Sequence, residues 1–505
     1  MNEGDYDLII IGGGINGAGV ARDAAGRGLK VLLCEKDDLA MHTSSASTKL
    51  IHGGLRYLEY YDFKLVRHAL QEREVLLRSA PHIIWPLRFI LPHHRDLRPR
   101  WLIRLGLFLY DHIGGRKLLP KSHSVDLKKH TSGAALRQEF SSGFEYSDCW
   151  VQDSRLVVLC ARDAADKGAE IRVNTRCTDL TVARDNQERW NVELQDRATD
   201  KKETLTARAV VNAAGPWVED VIGLQNQGES KHGVRLVKGS HVVVKKLFDH
   251  DYTYIFQNAD NRILFAVPYE GKFTLLGTTD IEVSGDPETA SVEQKEIDYI
   301  CNAVSEYFKR PVKPENVVWS YTGVRPLYDD ASANASKVTR DYVIHMSKSG
   351  PPLVSIFGGK ITTHRKLSEE VMDMLAEPLN VQATAWTKMA CLPGGDIANA
   401  DFESFVQQTK AKYPWLSVDL LNDYTRNYGT RITGILAGAS AMTDLGEHFG
   451  GGLYAAEVQY LADYEWARCA DDILWRRSRK GLHVPPDCAE KIDRWMESKG
   501  IHRAA

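Results

Sequence analysis

The glycine pattern Gly12-x-Gly14-x-x-Gly17 constrains this chain more than any other feature, because it directly follows a continuous apolar run, residues 6–11. Such a run is typical of a parallel strand that is covered on both faces. The three glycines provide a tight turn, a close backbone approach to a pyrophosphate and a close helix–strand contact. The following helix presents free N–H groups to the phosphate. The pattern therefore predicts a strand–turn–helix unit that binds a dinucleotide.

A second strand, residues 30–35, ends on Glu35, whose carboxylate can accept hydrogen bonds from the ribose hydroxyls of an adenosine. The glycine pattern does not choose between NAD and FAD, because both contain the ADP half that it binds. Two later segments favour a flavin. Residues 207–217 look like the third strand and turn of two-dinucleotide-binding flavoproteins, and residues 353–376 contain a strand, a Gly-Gly turn and a helix start. A helix N-terminus at the flavin would stabilise the negative charge that gathers there on reduction.

Composition excludes several classes of protein. A length of 505 residues corresponds to about three domains. The net charge of −3 gives no overall attraction to nucleic acid. The eight cysteines are scattered without a Cys-x-x-Cys pair, so we expect reduced thiols in a cytoplasmic setting and no metal site. Because about 18 apolar residues never occur consecutively and the first residues are polar, we expect no membrane span and no targeting segment.

The order of the predicted elements gives the domain organisation. Three strand-like stretches within residues 240–280 predict an antiparallel sheet. The Leu-Pro-Gly-Gly turn at residues 392–395 marks the start of a segment rich in helix formers. We predict an α/β fold with three parts. These are a discontinuous Rossmann-like FAD domain (1–80, 145–230 and 345–387), an interleaved antiparallel β substrate domain (81–144 and 231–344) and a helical C-terminal domain (388–505).

Five long segments resemble the respiratory, quinone-linked family of FAD-dependent glycerol-3-phosphate dehydrogenases. They are TSSASTKLIHGGLRYLEYY (43–61), GFEYSDCWVQDSRL (143–156), FGGKITTHRKL (357–367), WTKMACLPGG (386–395) and EWARCADDILWRR (465–477). The resemblance covers nearly the whole length. It departs at Thr48, where a serine is commoner, and at His364, where a tyrosine is frequent.

The resemblance implies a fold like that of D-amino-acid oxidase and oxidation of sn-glycerol 3-phosphate to dihydroxyacetone phosphate. Electrons would pass through FAD to ubiquinone or menaquinone, at the inner face of the cell membrane, with a homodimer as a possible assembly. It also implies a set of FAD-binding positions that includes the residues of the glycine pattern. The set is Gly12, Gly14, Asn16, Gly17, Glu35, Ser44, Ser45, Lys49, Leu50, Gly215, Gly358, Lys360, Thr362 and Thr363.

The phosphate of such a substrate carries close to two negative charges, and guanidinium groups match its oxygens in a bidentate way. By the resemblance, Arg56, Arg325 and Lys360 belong to the substrate pocket. The alternative is that both arginines form structural ion pairs and that Lys360 is a solvated lysine. A lysine at a helix start opposes the helix dipole, however, which favours an anion nearby.

Oxidation of a secondary alcohol also needs a base, and His52 and His241 are the candidates, because histidine titrates nearest neutral pH. Each is equally well interpreted as a buried core histidine. Arg325 would be a poor base and is better suited to stabilising a developing alkoxide. Tyr57 can donate a hydrogen bond to the phosphate or pack as an ordinary aromatic side chain.

Residues 88–104 combine five arginines with bulky apolar side chains. The arginines are Arg88, Arg95, Arg98, Arg100 and Arg104, and the apolar residues are Phe89, Ile90, Leu91, Trp101, Leu102 and Ile103, with Asp96 the only acid. This composition favours contact with the headgroups of an anionic membrane, the alternative being a solvated basic loop over a core helix. The basic run 476–480 is a second candidate, although such runs are usually solvated.

Two other functions compete with the principal one. The first is a flavoprotein oxidase of the same superfamily that passes electrons to O₂, with glycerol 3-phosphate or an amine or amino acid as substrate. The second is a flavin-bearing, membrane-associated binding protein without turnover. A flavin pocket assembled from several segments together with phosphate-binding cations favours an enzyme.

Overall fold

The computed structural model describes residues 4–95, 97–184, 188–225, 233–258, 260, 262–329, 341–347 and 350–501. Asp96, the acid of the basic segment, and the predicted domain boundary near residue 230 lie outside the described residues.

The described residues contain twenty strands and twelve α-helices. The strands are β1 (Asp5–Ile11), β2 (Val31–Cys34), β3 (Leu50–Ile51), β4 (Ile84–Pro92), β5 (His123–Asp126), β6 (Ser142–Val151), β7 (Glu170–Arg172), β8 (Thr175–Val182), β9 (Trp190–Asp196), β10 (Lys202–Asn212), β11 (Gly233–Lys245), β12 (Thr253–Gln257), β13 (Ile263–Tyr269), β14 (Phe273–Gly277), β15 (Ile281–Glu282), β16 (Val317–Asp329), β17 (Val343–Met346), β18 (Leu353–Phe357), β19 (His448–Gly450) and β20 (Leu453–Tyr454). The helices are α1 (Ile15–Gly26), α2 (Phe63–Ser79), α3 (Arg100–Ile113), α4 (Asp153–Asp166), α5 (Val218–Gly223), α6 (Gln294–Ser305), α7 (His364–Leu375), α8 (Phe402–Lys412), α9 (Val418–Tyr428), α10 (Ile432–Ile435), α11 (Ala455–Glu465) and α12 (Cys488–Ser498).

The first sheet has β1 near its centre, in the order β17-β18-β10-β1-β2-β7, with β8 and β9 added beside β10. β1 pairs in parallel with both β2 and β10. Leu8 and Ile10 pack into the core that contains α1, α4 and α7, whereas Ile9 and Ile11 pack into a second core on the other face. Both faces of β1 are therefore covered, as its continuous apolar sequence predicts.

The second sheet has the order β15-β11-β14-β13-β12-β4-β6-β3, with β16 beside β11 and β5 beside β6. The predicted antiparallel sheet over residues 240–280 is present, since β11, β13 and β14 pair in antiparallel fashion. One pair in this sheet, β4 with β12, is parallel. β6 crosses the predicted domain boundary at residue 145 and pairs within the second sheet along its length. The division into domains stays a prediction.

Helices α8 to α12 surround a hydrophobic core of their own, which includes Leu420, Tyr424 and Leu461. The turn that leads into this part is tightly packed. A Cβ on Gly395 would lie 2.2 Å from the carbonyl oxygen of Ser79, and one on Gly394 would lie 2.3 Å from that of Tyr428. The predicted helical C-terminal part is thus confirmed, and its first turn lies between the ends of α2 and α9.

Candidate FAD and substrate site

The glycine turn between β1 and α1 leaves no room for side chains. Gly12 has φ = +112°, and a Cβ on it would lie 2.5 Å from the carbonyl oxygen of Ala213. A Cβ on Gly17 would lie 1.9 Å from the carbonyl oxygen of Gly12. Gly14 provides no side-chain cap to helix α1, so N–H groups of its first turn other than that of Ile15, which donates to Ser44, are available to a ligand.

A cavity opens at this turn, with about 1140 Å³ of empty space that includes its opening to solvent. Seven of the predicted FAD-binding residues line it, namely Gly12, Gly14, Asn16, Glu35, Ser44, Gly215 and Gly358. Sequence reasoning missed other lining residues, among them His42, Thr175, Trp217 and Pro326. Thr175 begins β8 and Pro326 lies in β16, and neither strand carries a dinucleotide-binding motif that would have identified it.

Glu35 lies beside the cavity at the end of β2. Its Oε2 accepts a hydrogen bond from the backbone N–H of Gly13 (2.6 Å), and its Oε1 accepts one from that of Asp37 (2.9 Å). Burial raises the pKa of this carboxyl, and the two backbone N–H groups oppose that effect. The fixed carboxylate is suited to accept hydrogen bonds from ribose hydroxyls.

Asn16 connects α1 to the turn after β18. Its Nδ2 donates to the carbonyl oxygen of Gly358 (3.0 Å), while its Oδ1 is buried with no hydrogen-bond partner among the described residues. A buried acceptor without a partner is costly unless a ligand supplies a donor. Together with the glycine turn and Glu35, this atom fits a bound FAD, which carries hydroxyl and N–H donors.

Of the four predicted FAD-binding residues between Ser44 and Leu50, only Ser44 lines the cavity. Ser44 Oγ accepts a hydrogen bond from the backbone N–H of Ile15 (3.0 Å) and faces the cavity. Ser45 contributes its carbonyl oxygen to Lys49 Nζ (3.0 Å). That ammonium also lies 2.9 Å from a carboxylate oxygen of Asp153, so its charge is neutralised within the protein. Leu50 is buried in β3.

His241 lies in β11 opposite Tyr321 of β16, and Arg325 lies four positions farther along β16, opposite Val237. The His241 ring is buried and stacked on Tyr321 (4.8 Å between ring centres), and its Nε2 lies 2.9 Å from the hydroxyl of Thr48. Burial lowers the pKa of His241 well below its usual value, and Arg325 and Lys49 lower it further. The ring is therefore neutral, with Thr48, the residue that departs from the family pattern, as its partner.

His52, Tyr57 and Lys360 form a second group. The Lys360 ammonium lies 4.0 Å from the centre of the Tyr57 ring, a cation–π contact, and Arg56 lies half-buried next to Tyr57. Burial lowers the pKa of His52, Asp148 raises it, and Lys360 lowers it again. His52 is less deeply buried than His241.

A buried network holds the turn that carries His52. The backbone N–H of Gly53 donates to the hydroxyl of Tyr110 (2.8 Å), which in turn donates to Asp148 (2.8 Å). Arg73 pairs with the same carboxylate at 2.7 Å. The buried charge of Asp148 is thus paired and hydrogen-bonded, which fixes the position of the turn.

The residues at the start of α7 are buried. Thr362 and Thr363 are almost inaccessible, and Thr362 Oγ1 accepts a hydrogen bond from the backbone N–H of His52 (3.4 Å). Burial lowers the pKa of His364 to about 4, and its Nδ1 lies 2.8 Å from the carbonyl oxygen of Ile361. His364 therefore packs as a neutral core side chain. The other seven predicted FAD-binding residues are not among those that line the cavity, namely Gly17, Ser45, Lys49, Leu50, Lys360, Thr362 and Thr363.

Parts of the two basic segments, residues 88–104 and 476–480, are buried and do not lie at the surface as their sequences suggest. Phe89, Ile90 and Leu91 lie in β4 and are buried in the second sheet, so this apolar part of residues 88–104 belongs to the core. Trp101, by contrast, is 69% exposed on α3. The run 476–480 is not a solvated surface, because Arg476, Arg477 and Lys480 are buried. No helix among the described residues is long and apolar enough to cross a membrane.

The fold and the glycine turn define an FAD-dependent oxidoreductase. Residues 7–365 match the family described as FAD dependent oxidoreductase, and residues 385–498 match the C-terminal domain of alpha-glycerophosphate oxidase. The glycerol-3-phosphate dehydrogenase of Bacillus halodurans, solved in complex with FAD, superposes with a TM-score of 0.78 at 28% identity and covers 99% of this chain and 91% of that one.

Within this class the chain belongs to the FAD-dependent glycerol-3-phosphate dehydrogenase family. It is 49% identical to the glycerol-3-phosphate dehydrogenase of Pseudomonas aeruginosa, over 99% of this chain and 96% of that one. It is 47% identical to the aerobic glycerol-3-phosphate dehydrogenase of Escherichia coli, over 97% of each chain. It is also 51% identical to the D-erythritol 1-phosphate dehydrogenase of Brucella abortus, over 98% of each chain. The predicted family, cofactor and class of enzyme are confirmed.

Proposed function

We propose that this enzyme oxidises sn-glycerol 3-phosphate to dihydroxyacetone phosphate and delivers the electrons to a membrane quinone, ubiquinone or menaquinone. The observation that carries the proposal is the similarity, at 47–49% identity along nearly the whole chain, to two proteins named glycerol-3-phosphate dehydrogenase. The cations of the site support the proposal. Lys360 lies close enough to His52 to lower the pKa of its imidazole, and Arg325 does the same for His241.

The residues around His52 and those around His241 have different roles in the proposed reaction. Arg56, Tyr57 and Lys360 bind the phosphate, with the Lys360 ammonium held over the Tyr57 ring. Arg325 stabilises the charge that develops on the substrate oxygen as its proton leaves. FAD, when bound, supplies the acceptor for the hydride. The binding residues hold the carbon atom in line with that acceptor.

His52 is the better suited of the two histidines to accept the hydroxyl proton. It is less deeply buried than His241 and lies near Lys360 in the same group as Tyr57. One nitrogen of His241 contacts Thr48, and the other is buried with no partner among the described residues, so a substrate has poor access to this ring. We assign His52 as the general base and His241 as a neutral side chain packed against Thr48 and Tyr321.

A membrane surface is the second part of the proposal, because a lipid-dissolved quinone is reached only at the bilayer. Helix α3 presents Trp101, Leu105 and Phe108 to solvent, with exposed fractions of 69%, 47% and 49%, while its Leu107 and Tyr110 are buried. Exposed arginines, Arg95, Arg98 and Arg100, precede and begin this helix. An apolar helix face beside basic side chains is suited to the headgroup region of an anionic leaflet.

The decisive experiment is anaerobic mixing of the FAD-loaded enzyme with glycerol 3-phosphate. We expect bleaching of the flavin absorbance, one dihydroxyacetone phosphate per flavin, and reoxidation by a short-chain quinone. Stoichiometric peroxide in air without quinone reduction would instead identify an oxidase, and lipid association without turnover would identify a binding protein. No bleaching at full FAD occupancy excludes the proposal.

D-Erythritol 1-phosphate is a second candidate substrate, because the relative named for it is 51% identical to this chain. Both substrates present a phosphomonoester and a secondary alcohol, so the same residues serve either. Comparison of kcat/KM for the two phosphates decides between them, and we expect the larger value for glycerol 3-phosphate.

A further inference from the structure

The buried basic run 476–480 joins the C-terminal part of the chain to the first domain. Arg476 and Arg477 end a π-helix, Asp472–Arg477, and both bind the carboxylate of Asp38. Asp38 belongs to the loop that follows β2 and is only 5% exposed. Its contacts therefore come from a segment more than 400 positions away in the sequence.

Arg477 binds the carboxylate of Asp38 through two hydrogen bonds. Its Nη1 donates to Oδ2 and its Nη2 to Oδ1, each over 2.7 Å, and its Nε donates to the carbonyl oxygen of Glu465 over 2.9 Å. Arg476 Nε donates to Oδ2 over 2.5 Å. Paired, charge-assisted hydrogen bonds of this kind fix orientation as well as distance. Burial alone would raise the pKa of Asp38, but Arg477 and Arg476 hold it below its ordinary value, so the carboxylate is charged.

The loop that contains Asp38 also forms a wall of the FAD cavity. Two residues after Asp38, the backbone N–H of Ala40 donates to the carbonyl oxygen of Gly13 (3.1 Å), within the glycine turn. Leu39, fully buried, packs against the same glycine. Seven residues of the loop line the cavity, namely Glu35, Lys36, Ala40, Met41, His42, Thr43 and Ser44. Because Asp38 is held in place, the loop residues on both sides of it, which line the cavity, are held in place as well.

We propose that Arg476 and Arg477 are positioning residues for FAD, which act through Asp38 to hold loop 35–44 in its cofactor-binding conformation. The cavity lining includes no described residue beyond position 359, so the effect is indirect. High-affinity FAD binding would then require that the C-terminal part of the chain is docked. The proposal rests on FAD dependence, which the family match shows, and is independent of the substrate and of the quinone.

The test is the Kd for FAD of the full-length apoprotein, measured by titration with FAD and readout of flavin fluorescence. Asp38→Asn, nearly isosteric, and Arg477→Met each break the paired hydrogen bonds, and we expect Kd to rise about tenfold or more. Arg477→Lys keeps the charge but not the planar fork, so its Kd should be intermediate. At saturating FAD, the flavin absorbance spectrum of each variant should match that of the wild type.

Arg431→Gln is the matched control. Arg431 pairs with Asp166 of α4, so it too joins the C-terminal part to the first domain, yet neither residue lines the cavity. We expect its Kd to stay within about twofold of the wild type. Near-UV circular dichroism verifies folding, and if Arg477→Met does not fold, Asp38→Asn and Arg477→Lys provide the same test. The proposal is wrong if Asp38→Asn binds FAD as tightly as the wild type, or if Arg431→Gln weakens binding as much as Asp38→Asn.

Discussion

Arg325 Nη1 donates a hydrogen bond to the carboxylate of Asp280 over 2.9 Å, and its Nη2 lies 3.4 Å from the hydroxyl of Thr278. The side chains of Arg325 and Asp280 are 32% and 38% exposed, so both are accessible to a ligand. Asp280 orients the guanidinium while no substrate is bound. On the proposed function, a phosphorylated substrate would meet a guanidinium that Asp280 has already oriented.

Arg325→Gln tests the role of this guanidinium in catalysis. The substitution removes the charge that stabilises the developing alkoxide, so we expect kcat/KM for glycerol 3-phosphate to fall by about 10²–10³-fold with unchanged FAD content. Arg310→Gln, at an exposed cation of the loop that precedes β16, is the control and should keep wild-type kinetics. Near-normal kcat/KM in Arg325→Gln would show that Arg325 is only structural.

Lys360 and Tyr57 should act as one unit in phosphate binding. Loss of a charge-assisted hydrogen bond in Lys360→Met should raise KM by roughly 10–100-fold with a smaller change in kcat. Tyr57→Phe keeps the ring beneath the ammonium and should raise KM by less than about tenfold, whereas Tyr57→Leu should approach Lys360→Met. Wild-type KM in Tyr57→Leu would rule out a contribution of this contact to binding.

The pH profile distinguishes the two histidines. A base must be neutral to accept a proton, so activity is lost as pH falls through its pKa. Because burial lowers the pKa of His52 below its usual 6.5, we expect the acid limb of kcat/KM to lie below pH 6.5. His52→Gln should remove this limb and lower kcat, while His241→Gln should keep it. The reverse result would make His241 the base.

Gly17→Ala tests the glycine turn. The added methyl group would lie 1.9 Å from the carbonyl oxygen of Gly12, so α1 must shift and FAD should be lost on purification. Gly106→Ala is the control, because a methyl group there meets no atom within 4 Å. It should retain FAD and raise the free energy of unfolding by roughly 0.5–1 kcal/mol. Full FAD content in Gly17→Ala would contradict the close contact.

The exposed face of α3 is tested with anionic vesicles. Replacement of Trp101 and Phe108 by serine removes apolar side chains that would enter the headgroup region, and we expect vesicle affinity to fall about tenfold or more. Tyr464→Ser, an equally exposed aromatic on α11, should bind as the wild type does. Flavin reduction by substrate should be the same in both variants as in the wild type. If the α3 variant bound vesicles as tightly as the wild type, the exposed face of α3 would not be the membrane contact.

Local signals in the sequence were sufficient for the strand, turn and helix of the dinucleotide motif. A continuous apolar strand, glycines at fixed spacing and Glu35 at the end of the next strand depend on contacts within about 30 residues, and the structure has them as predicted. The same reasoning failed for residues 476–480, where a charged run was interpreted as solvated. Sequence composition reports the charge of a segment but not the carboxylates that the fold brings to it.

The sequence by itself therefore determined the class of fold, the cofactor and the family, because those follow from local pattern and from long matching segments. Only the tertiary structure decided which of the cations are neutralised inside the protein. Lys49 is held by Asp153, over a separation of 104 positions, and Arg477 by Asp38, over 439. The physical reason is that a buried charge needs a partner in space, and the chain topology that supplies this partner is not encoded in any local window of sequence.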